Sequence, residues 1–337
     1  MKTTHNYFID FLRFFSSLSV VFFHLNLHNS DKNSLYAKIA SYGWLGVPSF
    51  FVISGYCIMF SAKSSKSWIS FIQKRFFRIF PAFWFSLIVV MIAAVFQKIY
   101  TGTNSVPIIP ESFIAIPATL TLMTWPLTNI KTVNWAYWSL TCEILFYVTI
   151  SFSLFLNKKN VLIYLIIFSS ISLLCPLQIS GSFFFLDHWP AFGLGICIYL
   201  YQNKNYSKLC FYFLILLNIV GLIDKNIIKN DPEYIAVTLV VASFILLSLK
   251  KELHSNLRPF NKLGNYSYSV YLLHVPIGII FGQFRSNSLQ EMPIFLIMYD
   301  ITTYLVISFI SAIVYNYIEQ PAIAYGKKLG TIKIGGV

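Results

Sequence analysis

The sequence predicts an all-α protein, a polytopic transmembrane bundle of about ten helices. Of its 337 residues, 57% are hydrophobic and only 11% are charged, whereas a soluble domain has roughly 25% charged residues. The mean hydropathy is +0.67. The apolar runs are continuous rather than alternating, which favours helices over the strands of a barrel as the structure that satisfies its backbone inside lipid. This composition excludes a soluble enzyme.

Ten windows are long enough to cross about 30 Å of hydrocarbon. They are residues 7–27, 43–61, 77–97, 133–156, 161–178, 183–201, 209–224, 233–249, 264–284 and 293–318. The stretch 112–125 is also apolar, but Pro117 and Pro126 interrupt it, so we interpret it as an interfacial or re-entrant piece. We expect one transmembrane domain over 1–320 and a short cytoplasmic tail over 321–337, with no fused soluble domain.

The positions of Lys and Arg predict the orientation of the bundle. If the N-terminus is cytoplasmic, seventeen of the 25 Lys and Arg residues fall in cytoplasmic segments and seven in outer segments, with Arg13 inside the first helix. This is the bias of the positive-inside rule, so we predict that both termini are cytoplasmic. The formal net charge of +13 is then mainly a topology signal. It is dispersed over separate loops, so nucleic-acid binding is not expected.

The sequence gives no sign of a signal peptide or of a metal centre. Asp10 and Arg13 interrupt the first apolar run, and no small-residue cleavage site follows it. The five cysteines all lie in apolar runs without a CxxC spacing, and we interpret them as small apolar fillers. We expect neither a metal nor a permanently bound cofactor.

Several ionisable residues lie inside the predicted spans, where they are costly and by default indicate a functional site. They are Asp10, Arg13, His24, Glu143, Asp187, His188, His274 and Asp300. Arg13 and His24 are eleven residues apart, close to three whole turns and about 16 Å along the helix axis. They therefore project from one stripe, Arg13 towards the cytoplasm and His24 towards the outer leaflet, as chemistry between two membrane faces would require.

Structural interpretations remain open for these residues. Asp10 precedes Arg13 by three residues and would then only neutralise it. His24 would be a helix-end histidine bound by water or by a carbonyl group.

Two further pairs of ionisable residues also have both a structural and a functional interpretation. Glu143 and His274 lie near the bilayer centre and would form a Glu–His or Glu–Tyr hydrogen bond that clamps two helices. Asp187 and His188 lie near the outer interface, where they would be hydrated or would contribute to an acceptor site.

A basic segment, Lys74-Arg75-Phe76-Phe77-Arg78-Ile79-Phe80-Pro81, precedes the third predicted span. Basic residues beside a membrane commonly serve topology or bind anionic lipid, and this interpretation stays open for Lys63, Lys66 and Lys74. Arg75 and Arg78 are spaced to share one helix face. Two forked guanidinium groups on one face are suited to binding phosphate.

Six short motifs follow one another along the chain. They are Arg13-x10-His24; Phe50-Phe51-Val52-Ile53-Ser54-Gly55-Tyr56; Arg75-x-x-Arg78 with Ile79 and Pro81; Trp138-Ser139-Leu140 with Glu143 and Tyr147; Ser267-Tyr268 with Tyr271-Leu272-Leu273-His274 and Pro276; and Glu319-Gln320-Pro321. Each motif alone has little specificity. In this order they resemble the acyltransferase-3 family of bacterial integral membrane acyltransferases, over nearly the whole chain.

The resemblance implies an O-acyltransferase of the bacterial cytoplasmic (inner) membrane. Such an enzyme moves an acyl group, usually acetyl, from cytoplasmic acyl-CoA to a hydroxyl of a cell-surface or lipid-linked polysaccharide, for example O-antigen, capsule or exopolysaccharide. Acetyl-CoA would be the donor substrate. Some relatives carry an additional SGNH-type esterase-like domain, which we do not expect in this chain.

We therefore predict a site that connects the two faces of the membrane. Arg75 and Arg78 would hold the phosphates of CoA at a cytoplasmic mouth, and Arg13 would place or polarise the thioester. His24 would act either as general base on the sugar hydroxyl or as a transient acyl carrier, which the sequence does not separate.

The surroundings of His24 are also predicted. Glu143 would orient or charge-balance the imidazole, and His274 is a second catalytic candidate. Aromatic residues near the outer ends of the spans would stack on sugar or simply form an interfacial belt; these are Trp44, Trp135 and Tyr137.

Two other functions account for the same charges. A transporter or exporter of a glycan or small organic acid would use intramembrane charges for ion coupling, but the sequence shows no inverted repeat of the kind common in such proteins. A structural subunit of a glycan-assembly complex would tolerate neutral replacements of these charges.

Overall fold

The computed structural model describes residues 6–27, 34–102, 110, 112–157, 160–177, 180–203, 206–249, 257–285 and 293–330. Within these residues the regular structure is helical and no β-strand occurs, which confirms the predicted all-α class. Ten of the described α-helices have at least 14 residues, and they coincide one by one with the ten predicted windows.

The helices follow in chain order, with a π-helical turn at Tyr315–Glu319 between the last two. They are α1 Tyr7–Leu25, α2 Leu35–Ser41, α3 Gly46–Ser64, α4 Trp68–Thr101, α5 Ala115–Leu120, α6 Trp138–Asn157, α7 Val161–Leu174, α8 Trp189–Asn203, α9 Lys208–Lys229, α10 Pro232–Ser248, α11 Phe260–Gly282, α12 Pro293–Val314 and α13 Gln320–Leu329.

Six helical segments of the described chain are long and apolar enough to cross a membrane. They are Tyr7–Leu25, Leu35–Ser64, Trp68–Thr101, Trp135–Asn157, Lys208–Lys229 and Pro293–Leu329. Helices α7 and α10 are apolar but shorter. Helix α8 is also short, at 15 residues, and its residues Trp189–Tyr199 are all buried. The chain is therefore a multi-pass membrane protein in which α8 lies inside the bundle.

Helix α4 is longer than predicted and includes the basic segment. It has 34 residues, which corresponds to about 51 Å, more than the hydrocarbon thickness. The hydroxyl of Ser67 caps its start by accepting from the backbone N–H of Ser70, and Gly102 ends it in the left-handed conformation at φ 70°. Arg75 and Arg78 thus share a helix, as predicted, but lie about two turns inside it rather than at its start.

Two pairs of helices approach so closely that only glycine fits between them. A Cβ at Gly55 of α3 would lie 1.9 Å from the carbonyl oxygen of Phe192 in α8, and one at Gly195 of α8 would lie 2.0 Å from that of Val52. A Cβ at Gly264 of α11 would lie 2.3 Å from the carbonyl oxygen of Asp10 in α1. Small residues at such contacts are the usual means of packing membrane helices, because apolar burial gains nothing against lipid.

The apolar segment 112–125 contains the short helix α5 and packs on two longer helices. The indole Nε1 of Trp84 in α4 donates to the carbonyl of Leu120 at 3.0 Å. The hydroxyl of Thr141 in α6 donates to the carbonyl of Leu122 at 3.1 Å. These side chains satisfy backbone groups that a six-residue helix leaves open.

Residues 321–337 were predicted as a short cytoplasmic tail; residues 321–329 belong to helix α13, and residues 331–337 lie outside the described part of the chain. The hydroxyl of Ser70 in α4 donates to the carbonyl of Gly330 at 3.0 Å, and the rings of Phe77 and Tyr325 lie 5.1 Å apart. Helix α13 is therefore held against the first half of α4, on the side that the Lys and Arg distribution predicts to be cytoplasmic. The domain boundary at 320 stays a prediction.

Candidate active site

A cavity of about 330 Å³ lies inside the bundle. Helices α1, α3, α4, α6, α11 and α13 enclose it. The residues that line it include Arg13, Phe50, Phe51, Ser54, Cys57, Arg75, Arg78, Ser139, Glu143, Tyr147, Ser267, Tyr268, Tyr271, Ile323 and Lys327. A cavity of this size is within the usual range for a small-molecule site.

The lining of this cavity carries four cationic side chains and one carboxylate. The cations are Arg13, Arg75, Arg78 and Lys327, and the carboxylate is that of Glu143. Several positive charges around a cavity attract an anionic ligand and favour its phosphate groups. The structure thus brings four of the six predicted site residues, Arg13, Arg75, Arg78 and Glu143, to one cavity.

Arg78 is already paired within the protein. Its Nη1 donates to Oε1 of Glu319, a residue that is 1% exposed. The hydroxyl of Ser269 donates to the other carboxylate oxygen at 2.7 Å. The guanidinium also lies 5.6 Å from the ring centre of Tyr268. These contacts hold Arg78 beside the cavity and neutralise part of its charge.

Arg75 makes weaker contacts with the protein. Its Nη2 donates to the hydroxyl of Ser61 at 2.9 Å, and its guanidinium lies 5.6 Å from the ring centre of Tyr147. Neither contact neutralises the charge of Arg75. Of the two arginines in the motif, Arg75 is therefore the one with more of its charge available to a phosphate in the cavity.

Glu143 does not contact the imidazole that we expected it to orient. Its Oε1 accepts from the hydroxyl of Ser54 in α3 at 2.9 Å and from the hydroxyl of Tyr147, one turn along α6. The bond to Tyr147 lies within α6, so the predicted Glu–Tyr or Glu–His hydrogen bond between two helices is not among these contacts, and the link from α6 to α3 is the bond to Ser54. Other groups hydrogen-bond the imidazole of His24, so the expectation that Glu143 orients it directly is wrong, whereas charge balance by Glu143 stays a prediction.

Those groups are His274 and a backbone carbonyl. Nδ1 of His24 lies 3.1 Å from Nε2 of His274 and 2.9 Å from the carbonyl oxygen of Val20. Nδ1 of His274 lies 2.7 Å from the carbonyl oxygen of Tyr271. Residues from α1 and α11 that are 250 positions apart thus form one imidazole pair.

The imidazole pair lies next to the cavity but does not line it. Tyr271 lines the cavity, and its ring centre lies 5.4 Å from that of His274. The hydroxyl of Tyr271 is 2.9 Å from the carbonyl of Ala136 and 2.7 Å from the hydroxyl of Ser139. A layer containing Tyr271 therefore separates the cationic cavity from the histidines.

The three aromatic residues proposed for sugar stacking have different surroundings, and Trp135 is the one that lies near His24. The ring centre of Trp135 lies 6.1 Å from that of His24, and its buried indole N–H has no hydrogen-bond partner among the described residues. Tyr137 is only 2% exposed, which leaves no face for a sugar. Trp44 packs near Tyr234, with ring centres 6.3 Å apart.

Asp187 is part of a buried ion cluster rather than a hydrated acceptor site. Nζ of Lys225 lies 3.1 Å from Oδ1 of Asp187 and Nζ of Lys229 lies 3.4 Å from Oδ2. Lys225 also donates to the carbonyl of Cys175 at 2.8 Å. Helix α9 continues to Lys229, beyond its predicted end at residue 224, so these lysines belong to the bundle. Nδ1 of the neighbouring His188 lies 3.2 Å from the hydroxyl of Tyr234.

Asp300 also has a structural environment. Its Oδ2 accepts from the hydroxyl of Tyr36 at 2.6 Å and from the amide of Asn26 at 2.9 Å. Nη2 of Arg285 lies 3.7 Å from the same oxygen. The cluster ties α2 and the end of α1 to α12.

Sequence reasoning missed three residues that shape the site. Glu319 was noted only as part of a motif, yet it pairs with Arg78 from the π-helical turn, a local structure that is frequent at functional sites. Lys327 was assigned to the tail, and Tyr271 was not considered a site residue. The signal for Glu319 and Tyr271 was their place in the quoted motifs, whereas Lys327 gave none.

No group of three or more His, Cys, Asp or Glu residues that could hold a metal ion occurs within the described ranges.

A sequence model of the acyltransferase-3 family, described as an acyltransferase domain, matches residues 6–316. The match extends from the start of α1 into the π-helical turn and includes every cavity-lining helix except α13. Neither curated proteins nor solved structures give a match to this chain.

Proposed function

Because this chain belongs to the acyltransferase-3 family, we propose that it moves an acetyl group from acetyl-CoA to a hydroxyl of a cell-surface or lipid-linked polysaccharide. The chain is a multi-pass membrane acyltransferase. The acetyl group, the CoA donor, the glycan acceptor and a location in the bacterial cytoplasmic membrane are the proposed parts. The family match supports acyl transfer and leaves the transport and structural interpretations as alternatives.

The cationic cavity supports an acyl-CoA donor. CoA carries several phosphates, and the cavity offers Arg75 and Lys327 as cations in addition to the Arg78–Glu319 pair. Its volume of about 330 Å³ is too small for a whole CoA molecule, and it suits the narrow pantetheine arm. The nucleotide part would then remain outside, next to α13.

Arg13 lies at the right depth to meet the thioester. It is the seventh residue of α1, whereas His24 is in the last turn of the same helix. Arg13 lines the cavity, and its guanidinium can donate to the carbonyl oxygen of the thioester while the thioester lies on the cavity side of Tyr271. We assign Arg13 to placing the thioester there before it reaches the side of His24.

His24 is the proposed general base. The sugar oxygen attacks the thioester carbon, the carbon–sulfur bond breaks, and the thiolate of CoA leaves. The hydroxyl proton passes to His24 and then to the thiolate, so that free CoA and the acetylated sugar are the products. Histidine is suited to this transfer because its ordinary pKa lies near working pH.

One observation carries the proposal. A cavity lined by arginines that lie on the predicted cytoplasmic side ends at Tyr271, and the His24–His274 pair follows directly behind that residue. In the bound state the thioester must pass the Tyr271 layer, or this layer must shift, for the acetyl group to reach His24.

The test is acetyl transfer by the full chain reconstituted in nanodiscs. Radiolabelled acetyl-CoA and the surface glycan of a host strain lacking this gene are the substrates, and label in the glycan is measured. We expect transfer by the wild type and loss of transfer in His24→Ala. Donor binding by His24→Ala should stay at the wild-type level, because His24 does not line the cavity.

Two results would contradict the proposal. Absence of labelled glycan with the wild type, together with unchanged glycan mass in cells that express it, would remove the proposed reaction. Full transfer by both His24→Ala and Arg13→Ala would remove the assigned residues. Intact-protein mass after incubation with acetyl-CoA alone separates the two roles of His24, since an acyl carrier gains one acetyl group and a base does not.

A further inference from the structure

We propose that His274 is a positioning residue that fixes the proton of His24 on Nδ1 and so makes Nε2 the reacting nitrogen of His24. The inference rests on the proposed function in one respect, since it requires that His24 take part in acyl transfer. It goes beyond that function by naming the reacting atom and the residue that selects it.

The protonation of His274 follows from its hydrogen bonds. Its Nδ1 lies 2.7 Å from the carbonyl oxygen of Tyr271. A carbonyl oxygen can only accept a hydrogen bond, so Nδ1 of His274 must carry the proton. His274 is 1% exposed, and a buried imidazole with no carboxylate partner is neutral. The other nitrogen, Nε2, therefore has a lone pair and accepts.

The protonation of His24 also follows from its neighbours. Its Nδ1 faces two acceptors, the carbonyl oxygen of Val20 at 2.9 Å and Nε2 of His274 at 3.1 Å. A lone pair on Nδ1 would be directed at both of them and would be repelled. Nδ1 of His24 must therefore carry a proton, which is shared between the two acceptors. In a neutral His24 the lone pair then lies on Nε2.

Nε2 is the ring nitrogen of His24 that can accept a proton from the substrate. In the described part of the chain no hydrogen bond involves this atom. The ring centre of Trp135 lies 6.1 Å from that of His24. The reacting hydroxyl would approach Nε2, while the Val20 carbonyl and His274 hold the Nδ1 edge of the ring.

Both partners also suit the charged form of His24. When Nε2 takes a proton, the imidazolium keeps its Nδ1 proton directed at the Val20 carbonyl and at His274. Two acceptors without formal charge then stabilise a transient cation. An orienting acceptor behind a catalytic histidine fulfils the same requirement in hydrolases, where it selects the tautomer.

His274 is held in place firmly enough to act in this way. It lies in α11, which packs on α1 through the close approach of Gly264 to the backbone of Asp10. Its ring packs against Tyr271, with ring centres 5.4 Å apart. The distance between the two imidazoles is therefore set by the contact between two helices.

Three substitutions of His274 separate positioning from packing. In His274→Gln the amide oxygen can reach the position of Nε2 and accept from His24. In His274→Asn the oxygen falls one bond short, near the position of Nδ1, and His274→Leu has no acceptor. We expect His274→Leu and His274→Asn to lower kcat by about 100-fold or more, with KM for acetyl-CoA unchanged, and His274→Gln to keep most of the activity.

The outcomes distinguish this inference from the proposed function. If the wild type transfers acetyl and His24→Ala does not, while His274→Leu is fully active, only the role of His274 is wrong. Equal loss in Leu and Gln variants that fold normally also overturns it. If the wild type itself transfers nothing, the proposed function fails first.

A measurement on the unmodified protein covers the case in which the variants do not fold. The chain has six histidines, and nitrogen NMR of the ¹⁵N-histidine-labelled protein in nanodiscs resolves protonated from unprotonated ring nitrogens. His24→Gln assigns the signal of His24. A protonated Nδ1 and an unprotonated Nε2 support the inference, and the reverse pattern refutes it.

Discussion

Arginine-to-alanine substitutions at positions 75 and 78 should cause two different defects, because the two guanidinium groups have different partners. Arg78 pairs with the buried carboxylate of Glu319. Arg75 donates to the neutral hydroxyl of Ser61. The sequence shows the two arginines as one motif with one role, so the comparison tests what the structure adds.

The expected effect at Arg78 is on stability. Glu319 is 1% exposed in the intact protein, and without Arg78 its carboxylate keeps the hydrogen bond from the hydroxyl of Ser269, 2.7 Å long. Removing one partner of a buried ion pair typically costs about 3–5 kcal/mol. We therefore expect Arg78→Ala to melt at a markedly lower temperature. The double variant Arg78→Met with Glu319→Gln removes both charges and should recover most of the loss.

The expected effect at Arg75 is on donor binding. Its removal strands no buried charge, so the melting temperature should change little. A hydrogen bond to a charged group contributes about 1.5–3 kcal/mol, which corresponds to a roughly 10- to 150-fold weaker affinity for acetyl-CoA. Lys63→Ala is a matched control, since Lys63 is exposed and donates to Asn203 at 2.9 Å. The Lys63→Ala variant should bind acetyl-CoA with wild-type affinity.

The assays are thermal unfolding followed by size-exclusion chromatography, and acetyl-CoA titration by calorimetry in nanodiscs. The reasoning is refuted if Arg78→Ala is as stable as the wild type, or if Arg75→Ala binds acetyl-CoA with wild-type affinity.

Two further predictions concern the packing that supports the site. Gly55→Ala should destabilise the protein by about 3 kcal/mol, because the added Cβ would lie 1.9 Å from a backbone oxygen of α8. The control is Gly282→Ala, because nothing lies within 4 Å of a Cβ added there. Equal melting temperatures of the two variants would contradict the prediction. Asp187→Asn should lower stability by about 3–5 kcal/mol by stranding the buried Lys225. Adding Lys225→Met should restore it, as thermal unfolding will show, and a double variant no more stable than Asp187→Asn would refute this.

The candidate site was only partly predictable. Arg13 and Glu143 were found because ionisable groups in apolar windows are costly, and Arg75 and Arg78 because their spacing places them on one helix face; both signals can be read from sequence. The partners were not predictable, since they come from distant parts of the chain. Glu319 reaches Arg78 across 241 positions, and His274 reaches His24 across 250. Periodicity and spacing describe one helix at a time and do not say which helices touch.

The sequence by itself determined the all-α membrane fold and the positions of its ten long helices, because these depend on local hydropathy and on the length that lipid requires. Only the tertiary structure decided which charges face one another. It assigned His24 to His274 rather than to Glu143 and buried Asp187 with lysines from α9. The physical reason is that helix pairs in lipid are selected by close contacts at small residues, such as Gly55 and Gly264, and these contacts set the register in which distant side chains meet.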